Sequence, residues 1–195
     1  MRTREQIDKS LKVAYAEIDN IVALMFTKKN LTEFLSTTED ILINGYVRGA
    51  KDTLEMLGRD TSEIDELSII PELQTSLNKP IEGMDCTNRI ILGFFEKSTK
   101  QMQNLVGNEY HRVYNDGAYD IVKKLEQYKN VSALKTWHTM NDDAVRDTHA
   151  YLEGESIDID AYFYTWDGDK ARYPGDFERA ENNIGCRCVL TYSVF

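Results

Sequence analysis

Two cysteines separated by a single residue, Cys186 and Cys188, are the residues of this chain whose type and spacing point most specifically to a chemical role. In an extended segment their side chains project to the same face, because side chains alternate along a strand. Upstream, Asp143, Arg146 and His149 follow one another at intervals of three residues. Two thiols and one imidazole bind Zn²⁺ well, and they also pack in metal-free cores. The sequence therefore predicts either a metal site or a buried thiol cluster.

Two elements must position these side chains. We expect a helix over 142–153, on which residues three apart are neighbours, so that Asp143, Arg146 and His149 share one face. We expect a closing strand over 186–194 that brings both thiols to that helix. Further strands are predicted at 134–139, 155–160 and 161–166.

Two long amphipathic helices are predicted at the start of the chain. The first runs from about Glu5 to Lys28, and the second begins after Asn30, a capping residue, and ends near Gly58. A short connection between them predicts an antiparallel hairpin. Gly45 and Gly49, inside the second helix, predict a close approach to another helix. The apolar stripe of the first helix comprises Ile7, Leu11, Ala14, Ile18, Ile21 and Met25.

The middle of the chain predicts a connector and then one long helix. Residues 60–85 are acidic and contain two prolines, which indicates a short helix near 62–67 followed by irregular structure. The long helix should begin near Asp85 and continue through Leu125, with breaks at Gly107 or Gly117.

These elements predict an α+β fold in three parts. The first, 1–84, is a helical hairpin lobe with an acidic connector, and the second, 85–130, is a long linking helix. The third, 131–195, is a small α+β module. No uninterrupted apolar run approaches the length of a membrane-spanning helix, and no secretory signal is recognised. We therefore expect a soluble protein made in a reducing cytoplasm.

Charge argues against nucleic acid as a default partner. The formal net charge is −10, and the segment from Trp137 onward contains twelve acidic residues and five basic ones. Proteins that wrap DNA usually offer a contiguous cationic face. The exception is the predicted long helix, which carries a modest basic excess in Arg89, Lys97, Lys100, Arg112, Lys123, Lys124 and Lys129.

A set of residues in the last ninety or so positions resembles the C-terminal module of the phage Mu F-like minor head proteins. The resemblance begins near Asn108-Glu109, and Asn115 also falls at a family position, where we expect buried polar packing between lobes. Tyr173-Pro174-Gly175-Asp176 adds a turn sequence of type II pattern. The set comprises Trp137, Asp143, Arg146, His149, Gly154, Phe163, Pro174, Cys186 and Cys188.

The resemblance implies a structural virion protein without catalytic residues. Such a minor head protein would dock on the portal or the inner capsid wall during head morphogenesis and genome packaging or release. Its partners would be the portal protein and the major capsid or scaffold protein, with genomic DNA as a further partner and no membrane. Its location would be the capsid interior or portal vertex of the virion.

The resemblance also bears on the metal question. Relatives often have Cys-x-x-Cys where this chain has Arg146-x-x-His149, and His-x-x-Cys-x-Cys where it has Asn183-x-x-Cys186-x-Cys188. This pattern implies an ancestral zinc-like site of which His149, Cys186 and Cys188 remain. Structural zinc takes four ligands, so the set is one donor short.

Two interpretations of the three donors stay open. In one, zinc is bound and His138 or Asp143 supplies the fourth ligand. In the other, which the missing donor favours, no cofactor is present: Arg146 pairs with Asp143 or reaches backbone carbonyls, and the cysteines pack. A disulfide between Cys186 and Cys188 is disfavoured by their spacing.

Two further functions compete with the virion role. A nuclease-type effector could use His149 as general base and Arg146 as phosphate clamp, although the acidic surroundings oppose phosphate binding. A DNA-binding packaging accessory could use the basic residues of the long helix.

Overall fold

The chain is described by a computed structural model that covers residues 3–195, those at 66, 67 and 70 by their backbone alone. It is an α+β protein, as predicted, with long helices first and a small sheet region at the carboxyl end. Its larger helices are α1 (Arg4–Thr27), α2 (Leu31–Met56), α3 (Glu63–Leu67), α4 (Ile70–Asn78), α5 (Cys86–Glu96) and α6 (Thr99–Lys129).

Helices α1 and α2 form where the apolar pattern and the caps predict them. The side chain of Asn30 accepts a hydrogen bond from the backbone N–H of Glu33 and so caps α2. On α1 the predicted apolar stripe is buried except at Ile21, which is 40% exposed, while Val22 is 1% exposed in its place. Including Ile21 in the stripe was wrong, because a helix with 3.6 residues per turn drifts from a strict alternation of three and four.

Helices α2 and α6 pack with their backbones in direct contact, and glycines permit it. A Cβ atom on Gly49 would lie 1.9 Å from the carbonyl oxygen of Tyr114, and one on Gly117 would lie 2.1 Å from that of Tyr46. The two backbones therefore touch at this crossing. The predicted close approach at Gly49 is confirmed, whereas the predicted break at Gly117 is wrong, since α6 continues through it.

The single long helix predicted from Asp85 is in fact two helices. The break lies at Lys97 and Ser98, where Ser98 accepts a hydrogen bond from the N–H of Gln101, and the Gln101 side chain accepts one from the N–H of Ser98. This capping box starts α6 afresh, whereas Gly107 lies inside continuous helix.

The predicted irregular connector before residue 85 is also partly helical. Helix α4 contains Pro71 in its first turn, where proline removes no needed hydrogen bond. Treating that proline as a sign of irregular structure was therefore wrong.

The C-terminal module is built on one antiparallel three-stranded sheet. Its central strand, β1 (Ala133–His138), pairs with β2 (Ser156–Asp158) on one side and with β5 (Val189–Val194) on the other. A two-stranded hairpin, β3 (Phe163–Tyr164) and β4 (Lys170–Ala171), lies between them in sequence. Two single-turn helices complete the module, α7 (Asp147–Ala150) and α8 (Ala180–Asn183).

Four predicted elements of this module are shorter than expected, among them the strands predicted at 155–160 and 161–166, which are reduced to β2 and β3. The helix predicted over 142–153 is reduced to α7, and residues 142–145 form bends and a turn. The closing strand begins at Val189, so Cys186 and Cys188 precede it, outside the sheet. Trp166 is 69% exposed, whereas Trp137 is fully buried.

Across residues 3–195, the helices lack the combination of length and apolar character that crossing a bilayer requires.

Candidate metal centre

Three donor side chains meet in the C-terminal module. Nδ1 of His149 lies 3.6 Å from Sγ of Cys186 and 3.6 Å from Sγ of Cys188. The three donor atoms all lie within 4.8 Å of one another. His149 is 1% exposed, Cys186 6% and Cys188 3%, and both cysteines are free thiols. The predicted meeting of two thiols and one imidazole is therefore confirmed.

Arg146 holds the two segments of this cluster together. Its guanidinium donates hydrogen bonds to the backbone oxygens of Asn182, at 2.9 Å, and Ile184, at 2.6 Å. These bonds tie the residue before α7 to the segment that leads into Cys186. Of the two partners proposed for Arg146, the carbonyls are the ones observed.

Asp143 does not join the cluster. It lies exposed in the turn that precedes α7, and Arg146 is extended, with φ −71° and ψ 149°. The two residues therefore share no helical face, and the prediction that Asp143 lines up with His149 was wrong. The neighbouring Asp142 instead pairs with Arg187, at 2.6 Å.

The imidazole of His149 is fixed by aromatic neighbours. It stacks on Phe177, with ring centroids 5.1 Å apart and planes at 24°, and meets Trp137 edge to face at 5.8 Å. Its Nε2 atom is buried and has no hydrogen-bond partner among the described residues. The polar interactions of the ring are therefore made through Nδ1 alone.

A second histidine, His111 on α6, supports the cluster from the bundle side. Its Nε2 lies 2.8 Å from the backbone oxygen of Cys188, and its Nδ1 lies 2.5 Å from the hydroxyl of Tyr15 on α1. Sequence reasoning missed His111, because a lone histidine on an apolar helix face gives no signal of its partner.

The two thiols do not hold their protons equally. A hydrogen bond from Cys188, with further ones from His111 and His149, lowers the pKa of Cys186 well below the usual thiol range. The same bond with Cys186, together with burial, raises the pKa of Cys188. Cys186 is therefore the more acidic thiol of the pair.

The two suggested fourth ligands are absent from the cluster. His138 places its Nε2 2.8 Å from the hydroxyl of Thr191 and its Nδ1 3.5 Å from Glu153. Asp143 is exposed, and across residues 3–195 the group of clustered His, Cys, Asp and Glu donors comprises only His149, Cys186 and Cys188.

A small cavity adjoins the three donors. Its volume is about 10 Å³, and His149, Cys186 and Cys188 all line it. Exposed residues, Gly185 and Arg187, also contribute to its wall, which places it near the surface. A polar cavity of this size holds about one water molecule.

Other family-motif residues shape the chain around the cluster. The N–H of Gly154, which has φ +76°, donates to the carbonyl of Trp137 at 2.9 Å. Pro174 and Gly175 form the centre of a turn closed by Asp176 N–H to Tyr173 oxygen at 3.1 Å. Gly175 has φ +93°, as the predicted type II turn requires.

Asn183, at the position where relatives offer a ligand, is used for the backbone instead. Its amide nitrogen donates to the carbonyl of Phe177 at 2.7 Å, and its amide oxygen accepts from the N–H of Phe177 at 3.1 Å. The side chain therefore fixes the loop that carries the ring stacked on His149.

The basic residues of the long-helix region do not form a free cationic face. Five of the seven named above pair with carboxylates. The pairs are Arg89 and Arg112 with Glu109, Lys100 with Asp19, Lys123 with Glu126, and Lys124 with Glu72.

A separate cleft between α4, α6 and the turn at Tyr173 contains carboxylates one helical turn apart, Asp116 and Asp120. The hydroxyl of Tyr46 donates to Asp120 at 2.6 Å. Burial, and then the charge of Asp116, raise the pKa of Asp120 to about 7. The folded state thus takes up a proton that the unfolded state releases, so stability falls as pH rises from about 4 to about 7.

Replacing Asp120 by Asn should remove this loss while keeping an oxygen acceptor for Tyr46. The free energy of unfolding of the variant should exceed that of the wild type by an amount that grows between about pH 4 and 7 and then levels off, on the order of 4 kcal/mol. Urea denaturation across this range measures it, with the exposed Asp40→Asn as the matched control. A constant difference across the range would contradict the assignment.

The comparisons with known proteins agree with the residues of the module. The family described as Phage Mu protein F like protein matches residues 72–191, which is more than half of the chain. The chain therefore belongs to the Mu F-like family, a family of phage head proteins.

A curated relative is the NAD(+)–arginine ADP-ribosyltransferase EFV of Enterococcus faecalis, which is 30% identical over 122 residues. The similarity covers 55% of this chain and 25% of that protein, so the chain spans about a quarter of the relative's length. No solved structure matches the chain.

Proposed function

We propose that the chain is a minor head protein that binds the portal or the inner capsid wall and acts in head assembly and genome packaging or release. The observation that carries this proposal is the family match over residues 72–191. In this role the chain works inside the capsid, at or near the portal vertex, and needs no cofactor for chemistry.

The surface supports protein partners more than DNA. Large apolar side chains are exposed on α1 and α5, among them Leu24 at 63% and Phe95 at 71%. Exposed apolar side chains on helices suit contacts with portal, major capsid or scaffold proteins. Most cations that could contact DNA are paired with carboxylates, which weakens the accessory role for α6.

The buried position of His149 argues against the nuclease alternative. A general base must reach the proton it removes, yet His149 is 1% exposed and stacked on Phe177. The guanidinium of Arg146 is engaged with backbone carbonyls rather than turned toward a phosphate site. We therefore propose a structural role for both residues.

The likeness to the ADP-ribosyltransferase does not change this proposal. Because the chain spans about a quarter of that protein, we propose that the shared region is a head-binding module rather than the part that transfers ADP-ribose. Incubation with NAD⁺ and an arginine-containing acceptor should leave NAD⁺ intact. Consumption of one or more equivalents of NAD⁺ per chain would replace the structural proposal with an enzymatic one.

Co-purification tests the proposed partners directly. Tagged chain, co-expressed with the portal, major capsid and scaffold proteins of the same phage, should retain at least one of them. Phe95→Ser should weaken that retention if α5 contributes to the contact, whereas Tyr128→Ser, at a site 61% exposed on α6, is the matched control. Failure of all three proteins to bind a folded chain would overturn the proposal.

A further inference from the structure

We infer that His149, Cys186 and Cys188 bind one Zn²⁺ ion, with a solvent molecule as the fourth donor. The inference goes beyond the proposed role in the phage head and does not depend on it. It rests on the spacing of the donors, on the hydrogen-bonding capacity of the imidazole, and on the cavity beside them.

The distances between donors match those around a tetrahedral zinc ion. Zn–S bonds of about 2.3 Å and Zn–N bonds of about 2.0–2.1 Å place nitrogen and sulfur donors about 3.6 Å apart in a tetrahedron. Nδ1 of His149 lies 3.6 Å from each of the two sulfur atoms. Nδ1 of His149 and both sulfur atoms therefore lie at distances that allow them to coordinate one ion.

Hydrogen bonds do not join Nδ1 of His149 to both sulfur atoms at once. In a neutral imidazole, Nδ1 has either one lone pair or one N–H, so it cannot accept hydrogen bonds from both thiols at once. An ion bound to Nδ1 and both sulfurs uses all three donors together.

Chemistry of the donor set selects the ion. Two thiolates and one imidazole are soft and borderline donors, which favour Zn²⁺ over Mg²⁺ or Ca²⁺. Binding replaces the thiol protons of Cys186 and Cys188, which leave to solvent, so that two negative sulfurs balance the charge of the ion. Apparent affinity should therefore rise with pH.

The fourth position is assigned to solvent because the described residues, 3–195, offer no further donor there. Among residues 3–195 the donor group has three members, and Arg146 and Asn183 are engaged with backbone groups. The cavity of about 10 Å³ that touches all three donors accommodates one water molecule. Three protein ligands and one solvent ligand complete four-coordination.

Metal titration of the intact chain tests the stoichiometry. The reduced protein, freed of metal by chelation, should bind one Zn²⁺ in competition with a chromophoric chelator, and binding should raise its melting temperature. Cys186→Ser and Cys188→Ser should each weaken binding by about two orders of magnitude. Cys86→Ser removes a buried cysteine outside the cluster and should leave binding unchanged.

Cobalt substitution tests the ligand set in the wild-type chain, without reliance on variants that could unfold. Bound Co²⁺ should show thiolate-to-metal charge-transfer bands and the strong ligand-field bands of four-coordination. Water enriched in ¹⁷O should broaden its electron paramagnetic resonance lines if solvent is coordinated.

Three results would each overturn the inference. A folded, reduced chain that binds no Zn²⁺ would exclude the site, and binding that persists in both cysteine variants would place the ion elsewhere. Lines that stay sharp in ¹⁷O water would show that a protein group holds the fourth position.

Discussion

Gly117→Ala should destabilise the chain by about 3 kcal/mol or more, because it forces apart two helices whose backbones touch. The added Cβ would lie 2.1 Å from the carbonyl oxygen of Tyr46, and the neighbouring contact at Gly49 is equally tight, at 1.9 Å from the oxygen of Tyr114. Backbone atoms cannot turn aside as a flexible side chain can. Gly49→Ala should therefore have a similar effect, and denaturant unfolding monitored by circular dichroism would measure both.

A glycine in the same helix supplies the matched control. A Cβ on Gly107 would meet no atom within 4 Å, so Gly107→Ala tests helix propensity alone and should stabilise by about 0.5–1 kcal/mol. Opposite signs for Gly107→Ala and Gly117→Ala are the expected outcome. If both substitutions stabilise the chain, the helices do not cross where the structure places them.

Local sequence signals predicted the helices well where one residue controls an end. Asn30 caps α2, and the apolar spacing of α1 follows directly from burial of one face. The break at Ser98 was missed, because a serine followed three positions later by glutamine is also common within helices, and only the packing of α5 and α6 decides. The helix break predicted at Gly117 does not occur, because glycine is needed there for contact with α2, which leaves no room for a side chain.

The cluster itself was predictable, although its local structure was not. Their spacing of two residues predicted that Cys186 and Cys188 would lie on one side of the chain, and both are buried beside His149 although they precede the strand. The predicted helix before His149 failed because Arg146 satisfies carbonyls across the module instead of continuing a helical turn. Long-range contacts of this kind, like that of His111 with Cys188, leave no periodic trace in sequence.

Helix α6 connects the helical bundle and the C-terminal module, because it contacts α2 on one face and residues of the module on others. Gly117 contacts α2, whereas His111 reaches the backbone of Cys188 and Arg112 packs under Gly175 of the type II turn. The side chain of Asn108 accepts a hydrogen bond from the N–H of Gly185 at 3.0 Å. Polar groups of α6 therefore contact the module, and the buried Glu109 lies beside them, paired with Arg112 and with Arg89 of α5.

Glu109→Ala should destabilise the chain by about 3–5 kcal/mol, because it leaves two guanidiniums without their shared carboxylate. Glu109 is 4% exposed and lies 2.6 Å from Nη2 of Arg89 and 3.0 Å from Nε of Arg112. Arg112 is 2% exposed and also donates to the backbone oxygen of Ser76 at 3.0 Å. Loss of the carboxylate should therefore loosen α4, α5 and α6 together, and amide hydrogen exchange would show this.

The pH dependence of stability separates the charge of Glu109 from its packing. Burial alone would raise the pKa of Glu109, but Arg112 and Arg89 outweigh burial and hold it below the usual range. A lowered pKa in the folded state stabilises the chain above the unfolded value of about 4.5, and this contribution is lost as pH falls through the folded value. Glu109→Gln, which keeps the shape, should abolish that part of the acid sensitivity.

An exposed ion pair provides the comparison for Glu109. Lys100 and Asp19 lie 3.3 Å apart with side chains 69% and 42% exposed, so Asp19→Ala should cost less than about 1 kcal/mol. The comparison of the two variants isolates the effect of burial, because each substitution removes one carboxylate that is paired with a cation of α6. An equal loss of unfolding free energy in Asp19→Ala and Glu109→Ala would mean that solvent reaches Glu109. The ion pairs of Glu109 with Arg89 and Arg112 would then not stabilise the packing of the helices.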